Sequence, residues 1–321
     1  MLSRVRDSWF LIALALALVV GISCSASLKP LADAVPRTAL IGAVMFVTAL
    51  PIDLRGFRDA AGAGWAVALA IAINAVAAPP LGWLASHLLP TELATGLVVA
   101  TTAPCTLASA AVWTRRGNGN AAVAVAVTVA TSLGCFVVLP LWTRLLLGTS
   151  AGDERFFAAL ALKLVACVVV PLMAAQMLRL APAAPRLASN AKTGLGLAAQ
   201  LGVLTMALLG AIESGERLAQ METPISAMDW SLVALTAAAT HTVLLVLGWR
   251  TAALAGIGRA EAVAVAIAGS QKTLAVGVGI ALEFGGLAIF PMIAYHVLQL
   301  IIDTLFVDRL RSRSDKSDTA P

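Results

Sequence analysis

The chain has 321 residues, of which 60% are hydrophobic and only 12% charged, with a mean hydropathy of +0.92. Soluble domains carry about 25% charged residues, so this composition excludes an ordinary cytosolic enzyme and points into a membrane. The net charge of +5 reads as membrane topology and not as a nucleic-acid footprint.

A hydrocarbon core of about 30 Å takes roughly 20 apolar residues per helix. Ten segments qualify as candidates: 9–28, 38–54, 64–89, 92–114, 119–143, 156–180, 194–212, 230–249, 259–283 and 286–307. They lack the alternation of barrel strands, so the expected fold is an all-α multi-pass membrane protein. The first span is too long for a cleaved leader and reads as a retained helix. Pro79-Pro80 is expected to bend the third span, with no chemistry attached.

The fourth span is interrupted by Ala103-Pro104-Cys105-Thr106 and the ninth by Ala268-Gly269-Ser270-Gln271-Lys272-Thr273. Each lies downstream of the same tripeptide, Leu81-Gly82-Trp83 and Leu247-Gly248-Trp249, at an offset of 166 that carries Pro104 onto Ser270 and Thr106 onto Lys272. Paired breaks at matching places of two halves mark the binding site of secondary transporters. The chain therefore divides into a five-helix unit over 1–148, a second over 155–307 and a cytoplasmic tail over 308–321. An odd number of spans per half requires the two repeats to be inverted.

Cytoplasmic loops retain Lys and Arg. With the N-terminus inside, fifteen of these residues fall in inner loops and five in outer ones (Lys29, Arg37, Arg144, Arg155 and Arg217). Both termini are thus expected in the cytoplasm, with the protein in the plasma membrane, or the inner membrane of a cell with two.

Lys272 stands about midway along its span. A charge at such a depth costs about 2.5–3.5 kcal/mol on insertion scales and faces an interior or a cavity, which makes it a candidate substrate anchor or fixed cation. Lys163, eight residues from Arg155, is able to snorkel. The hydroxyls and amides at the breaks, Thr106, Ser109, Ser270, Gln271 and Thr273, are candidates to bind ion or substrate. Asn74, Thr128, Thr131, Ser132, His241, His296, Gln299 and Asp303 are the other polar residues within spans. Each reads more readily as an interhelical hydrogen bond than as a ligand. His296 and Gln299 share a helix face, and Asp303 either extends that stripe or lies near the inner surface. The four cysteines are all in apolar spans, with no CxxC or Cys/His spacing, so packing is their expected role; Cys105 is set apart by its place in the first break.

The stretch Ala103-Pro104-Cys105-Thr106-Leu107-Ala108-Ser109, then Gly119-Asn120, then Ala124 and Thr128, resembles the bile acid:sodium symporter family. The resemblance implies ten spans in two inverted repeats, a core domain with two broken crossing helices, a panel domain, and coupling of two sodium ions to uptake of an organic anion. Its sodium ligands carry over at Ser109, Thr128 and Gln271. Ala110 and Ala124 replace expected Asn and Ser, Asn74 replaces a Gln, and Ile267 falls on the glutamate shared by both ion sites. Gln271-Lys272-Thr273-Leu274 and Tyr295-His296-x-x-Gln299 resemble a divergent branch of the family.

The expected function is secondary transport of an organic anion with sites at the crossing: Asn74, Thr106, Ser109, Thr128, Ser270, Gln271, Lys272, Thr273, His296 and Gln299. Its partners are that anion and the bilayer, with no nucleic acid, and Na+ is the candidate coupling ion with no other cofactor. Alternatives are sodium-independent or proton-linked transport with the Lys272 ammonium in the place of sodium, and a non-transporting membrane regulator on the same fold. An intramembrane enzyme lacks its motifs, HExxH, GxSxG or paired aspartates.

Overall fold

A computed structural model describes residues 2–53, 61–107, 109–148, 154–222 and 224–317. Inner-loop Arg55 and Arg58, Ala108, and all but Glu154 of the connector 149–154 lie outside these. Every regular element among the described residues is helical. In chain order they are α1 (Leu2–Ser23), α2 (Ser25–Ala34), α3 (Arg37–Ala49), α4 (Gly64–Ser86), α5 (Thr91–Thr102), α6 (Ser109–Arg116) and α7 (Ala121–Leu147). Then follow α8 (Glu154–Leu178), α9 (Ala184–Asn190), α10 (Lys192–Ala219), α11 (Ala227–Leu254), α12 (Arg259–Ser270), α13 (Leu274–Ala281) and α14 (Ile289–Ser317).

Seven helical segments are long and apolar enough to cross a membrane, counting α12 with α13 as one, and eight if α1 and α2 form one bent span. The other two expected spans differ in form. The second is represented by α3, 13 residues long, and the fourth is divided by its break into α5 and α6. The first span does not run straight through 9–28 either. It turns by 107° at Cys24, where the chain crosses α10 at Gly215. A Cβ there would sit 2.7 Å from the Ile22 carbonyl and 2.7 Å from Ser25 Cβ, so only glycine admits the elbow. The last helix passes residue 307 and continues to Ser317. No Gly or Pro follows Pro291 of its first turn, and Arg116 (2.8 Å to Asp308) and Arg259 (3.1 Å to the Leu310 carbonyl) hold its extension.

The repeated tripeptides have a packing cause. Gly82 on α4 lies against the Thr101 side chain of α5, in the space a Cβ would fill. Gly248 on α11 lies against the backbone of α12, where a Cβ would stand 2.9 Å from Ala266 Cα and 3.1 Å from the Val265 carbonyl. α4 and α11 thus each use a glycine to bring the following helix close, as small residues do in membranes. The span α12–α13 is encased on all sides.

Candidate functional site

The two breaks are built alike. α5 and α12 are both 12 residues long, and α6 and α13 both eight. α5 starts after Pro90 (φ −56°, ψ 150°) and ends at extended Ala103 (−60°, 149°); α12 starts after Gly258 (−57°, 155°) and ends at extended Gln271 (−71°, 143°). Matching these ends gives an offset of 168, not the 166 of the tripeptides, and pairs Lys272 with Pro104. α12 packs on α6 and α13 on α5, so the broken helices cross at their breaks. There the Thr273 N–H donates to the Pro104 carbonyl at 2.9 Å.

The Lys272 ammonium is fully buried and donates to three oxygens: the Asn74 carbonyl (2.7 Å), the Ala103 carbonyl (2.9 Å) and Asn74 Oδ1 (3.2 Å). An ammonium has three N–H donors and no acceptor, so this cage satisfies it without a carboxylate. Two of its oxygens are freed by sequence. Ala103 ends α5 in extended backbone. Asn74 sits in a π-turn, Ile73–Ala77, in which the Ala78 N–H bonds Ile73 O; the next residues, Pro79 and Pro80, have no N–H to offer. The Ala75 carbonyl, which Pro79 also deprives, receives Trp142 Nε1 at 2.8 Å. Pro79-Pro80 therefore does carry chemistry, contrary to expectation, because it supplies the acceptor on which Lys272 rests.

Side chains satisfy the rest of the second break. Asn74 Nδ2 donates to the carbonyls of Gln271 (3.0 Å), Ala268 (3.2 Å) and Gly269 (3.3 Å). Gln299 Oε1 takes the Lys272 N–H at 2.9 Å, which fixes its amide; Nε2 then donates to Lys272 O at 3.0 Å and to His296 Nδ1 at 2.8 Å. Gln271 Nε2 donates to Asp303 Oδ2 at 2.5 Å, and Gln271 Oε1 accepts the Ser109 hydroxyl at 2.8 Å. At the first break Cys105 N donates to Thr131 Oγ1 (3.2 Å), while Thr128 Oγ1 lies 3.3 Å from both Cys105 Sγ and the Thr106 carbonyl.

A cavity of about 650 Å³ reaches this crossing. One wall comes from α1, α3 and α10, including Phe10, Val44, Met45, Ala199 and Val203; the other comes from α6, α7, α13 and α14. Exposed Asp53, Arg115 and Lys192 stand at its outer end. At its inner end lie Thr106, Thr273 and His296, with 6%, 8% and 9% exposure, and half-buried Ser109. Ser270, Gln271, Lys272 and Gln299 are at 0%, and Asn74 and Thr128 at 2%. The ten sequence-predicted residues thus separate into four that line the cavity and six behind its wall. Ser270 contributes its carbonyl only, since its hydroxyl turns back onto Ala266 O and Ile267 O.

Of the sodium set that the resemblance implies, Ser109 and Thr128 use their hydroxyl hydrogens on protein acceptors, Gln271 Oε1 accepts from Ser109, and none of the three carries a charge. Ile267, at the place of the shared carboxylate, is buried against Leu245, Val263 and Val307. Sequence reasoning did not place His241, Asp303 or Tyr295 in the site, although all three join it. Asp303 is 0% exposed and bonded to His241 Nε2 at 3.0 Å. A buried acid and base on two apolar helices were the available signal.

The chain matches the model of the SBF-like CPA transporter family over residues 8–312. It is similar to the probable sodium/metabolite cotransporter BASS4, chloroplastic, of Arabidopsis thaliana, 25% identical over 250 residues that cover 73% of this chain and 56% of that protein. The protein of that name from Oryza sativa subsp. indica is 27% identical over 243 residues, covering 71% of this chain and 57% of the relative. The chain spans little more than half the length of these curated relatives. The family match takes in both breaks, both cavity walls and every residue of the crossing: the chain belongs to the SBF-like CPA transporter family.

Proposed function

We infer that the chain is a secondary active transporter of a small organic anion, of the bile acid:sodium symporter type, in which the Lys272 ammonium takes the place of a coupling sodium ion. The observation that carries this reading is the cage of three oxygens, 2.7–3.2 Å from Lys272 Nζ, at the point where the cavity meets two crossed breaks. Broken helices at a cavity are how transporters place solute and ion sites. The solute end suits an oxyanion. Gln299 donates to His296 Nδ1, which leaves Nε2 as the donor nitrogen of a ring lining the cavity, beside the hydroxyls of Thr106, Ser109 and Thr273. Arg115 and Lys192 at the outer end attract negative charge.

The twinned 12- and eight-residue helices support two inverted five-helix repeats over 1–148 and 155–307, with α1, α3 and α10 in the panel and the crossing in the core. The distribution of Lys and Arg supports both termini, and the cavity mouth, on the cytoplasmic side of the plasma membrane. A second reading, sodium symport, is favoured by the names of the relatives.

Uptake of labelled taurocholate, pyruvate and a panel of further organic anions into vesicles bearing the purified chain tests both. Flux that persists with choline in place of sodium and is lost in Lys272→Ala supports the tethered cation. Flux that needs a sodium gradient overturns it in favour of symport, and no flux for any anion, with a stable partner in pull-down, favours a regulator.

A further inference from the structure

Behind the cavity wall lies an acid–base pair that the anchoring of Lys272 leaves unused. His241 on α11 and Asp303 on α14 are both 0% exposed, with Nε2 and Oδ1 3.0 Å apart. The other ring nitrogen, Nδ1, faces the Ser270 carbonyl at 3.3 Å, and that carbonyl also accepts the Tyr295 hydroxyl at 2.8 Å. Ser270 O only accepts, and Asp303 Oδ1 only accepts when the carboxyl is ionised, so beside an ionised Asp303 both nitrogens of His241 face acceptors. A neutral imidazole has one N–H and would set a bare lone pair against Ser270 O or Asp303 Oδ1. A ring protonated on both nitrogens, beside an ionised Asp303, satisfies every contact. The second carboxylate oxygen then accepts Gln271 Nε2–H.

The geometry points to His241 and Asp303 as the site of one exchangeable proton, coupled to anion binding in the cavity through Gln271 and Ser109. This deepens the transport reading and rests on it only for the use of the proton in a cycle. The other titratable groups around the pair are Lys272 and Cys105 at the breaks and Tyr295 and His296 on α14. α4 brings Asn74 and no ionisable side chain, α11 has none other within two turns of His241, and α12 has none after Glu261.

With the proton bound, His241, Asp303 and Lys272 together carry one net positive charge, and when it returns to water they are neutral. An anion at Ser109, which donates to Gln271 at 2.8 Å, meets a positive crossing in the first state only. Coupling is reciprocal, so the anion tightens the hold on the proton and low pH tightens the hold on the anion. Release of the proton also takes an N–H from the pair, either from Ser270 O at the end of α12 or from between ring and carboxylate, and so reaches the break itself.

The chain has three histidines, so 15N-imidazole NMR of the full chain in nanodiscs isolates the proton. His87→Gln and His296→Gln assign the signals, and pH is stepped from about 5 to 9 around the usual histidine value near 6.5. The expected result is a His241 with N–H signals on both nitrogens in the parent chain and on one nitrogen only in Asp303→Asn at the same pH. Asp303→Glu, which keeps the charge, is the control if Asp303→Asn fails to fold. A His241 singly protonated at every pH, or a titration indifferent to Asp303, overturns the proposal. Doubly protonated His241 without flux of any anion would leave the proton site standing and sink the transport reading; flux with a singly protonated His241 would do the reverse.

Discussion

Lys272 rests on a carbonyl that Pro79 leaves without a partner. In an unbroken helix Asn74 O would bond an N–H four residues on; the π-turn assigns that N–H to Ile73, and Pro79, five residues on, has none. The ammonium completes the backbone of α4 as much as α4 solvates the ammonium. Replacement of Pro79 by Ala restores an N–H that competes for Asn74 O. A buried donor left unsatisfied costs about 1–3 kcal/mol. Pro79→Ala is therefore expected to lower the melting temperature and flux together. A gain in stability, as for removal of an ordinary helix proline, would show that the π-turn is not held for Lys272.

Removal of the ammonium should open the cage to a free cation. Lys272→Ala leaves three converging oxygens without a donor, and is expected to be destabilised in choline and partly rescued by sodium. A ligand at a hundredfold excess over its Kd stabilises by about 2.7 kcal/mol. Melting curves in sodium and choline at matched ionic strength read this directly, with no sodium effect expected in the parent chain.

Two ion pairs join helices that the Lys and Arg distribution puts on the side opposite the cavity mouth. Arg217 on α10 pairs with Glu92 on α5, and Lys163 on α8 with Glu283 beyond α13. Exposed pairs contribute little each, so Arg217→Ala should raise the share of the oppositely open state by no more than roughly fivefold. Alkylation of a cysteine placed at Thr273, from the face opposite the mouth, measures it. An unchanged rate would mean that these pairs do not hold that face shut.

Gly248 and Gly134 make a matched test of close packing. A Cβ on Gly248 meets the α12 backbone at 2.9 Å, whereas one on Gly134 meets nothing within 4 Å. Gly248→Ala is expected to cost about 1–3 kcal/mol, the usual penalty of overpacking. Gly134→Ala should be neutral or gain up to about 1 kcal/mol from helix propensity. Thermal melting of the two variants separates them.

The breaks were legible because Pro104, Ser270 and Lys272 are costly in an apolar span whatever surrounds them. Lys272, Asn74, Gln271 and Gln299 could be named as site residues for the same reason. What they do there was not legible, since backbone carbonyls provide most of the partners and no side-chain pattern announces a carbonyl. The Pro79-Pro80 pair was visible but silent until the π-turn showed which acceptor it frees. Asp303 and His241 are 62 positions apart, and their contact depends on α11 and α14 lying side by side, which no local periodicity encodes. The elbow at Cys24 was hidden too, because its cause is Gly215 on another helix.

The encasement of α12–α13 sets an order of assembly. This segment leaves the ribosome ahead of α14, which brings Gln299, Tyr295, His296 and Asp303 to it. Until α14 arrives, the second break has its partners on one side only, and Lys272 waits among the earlier helices at a depth where an unsheltered charge costs about 2.5–3.5 kcal/mol. A chain without α14 would thus leave the second break half-clothed. α14 completes the partners of the second break as well as forming a wall of the cavity.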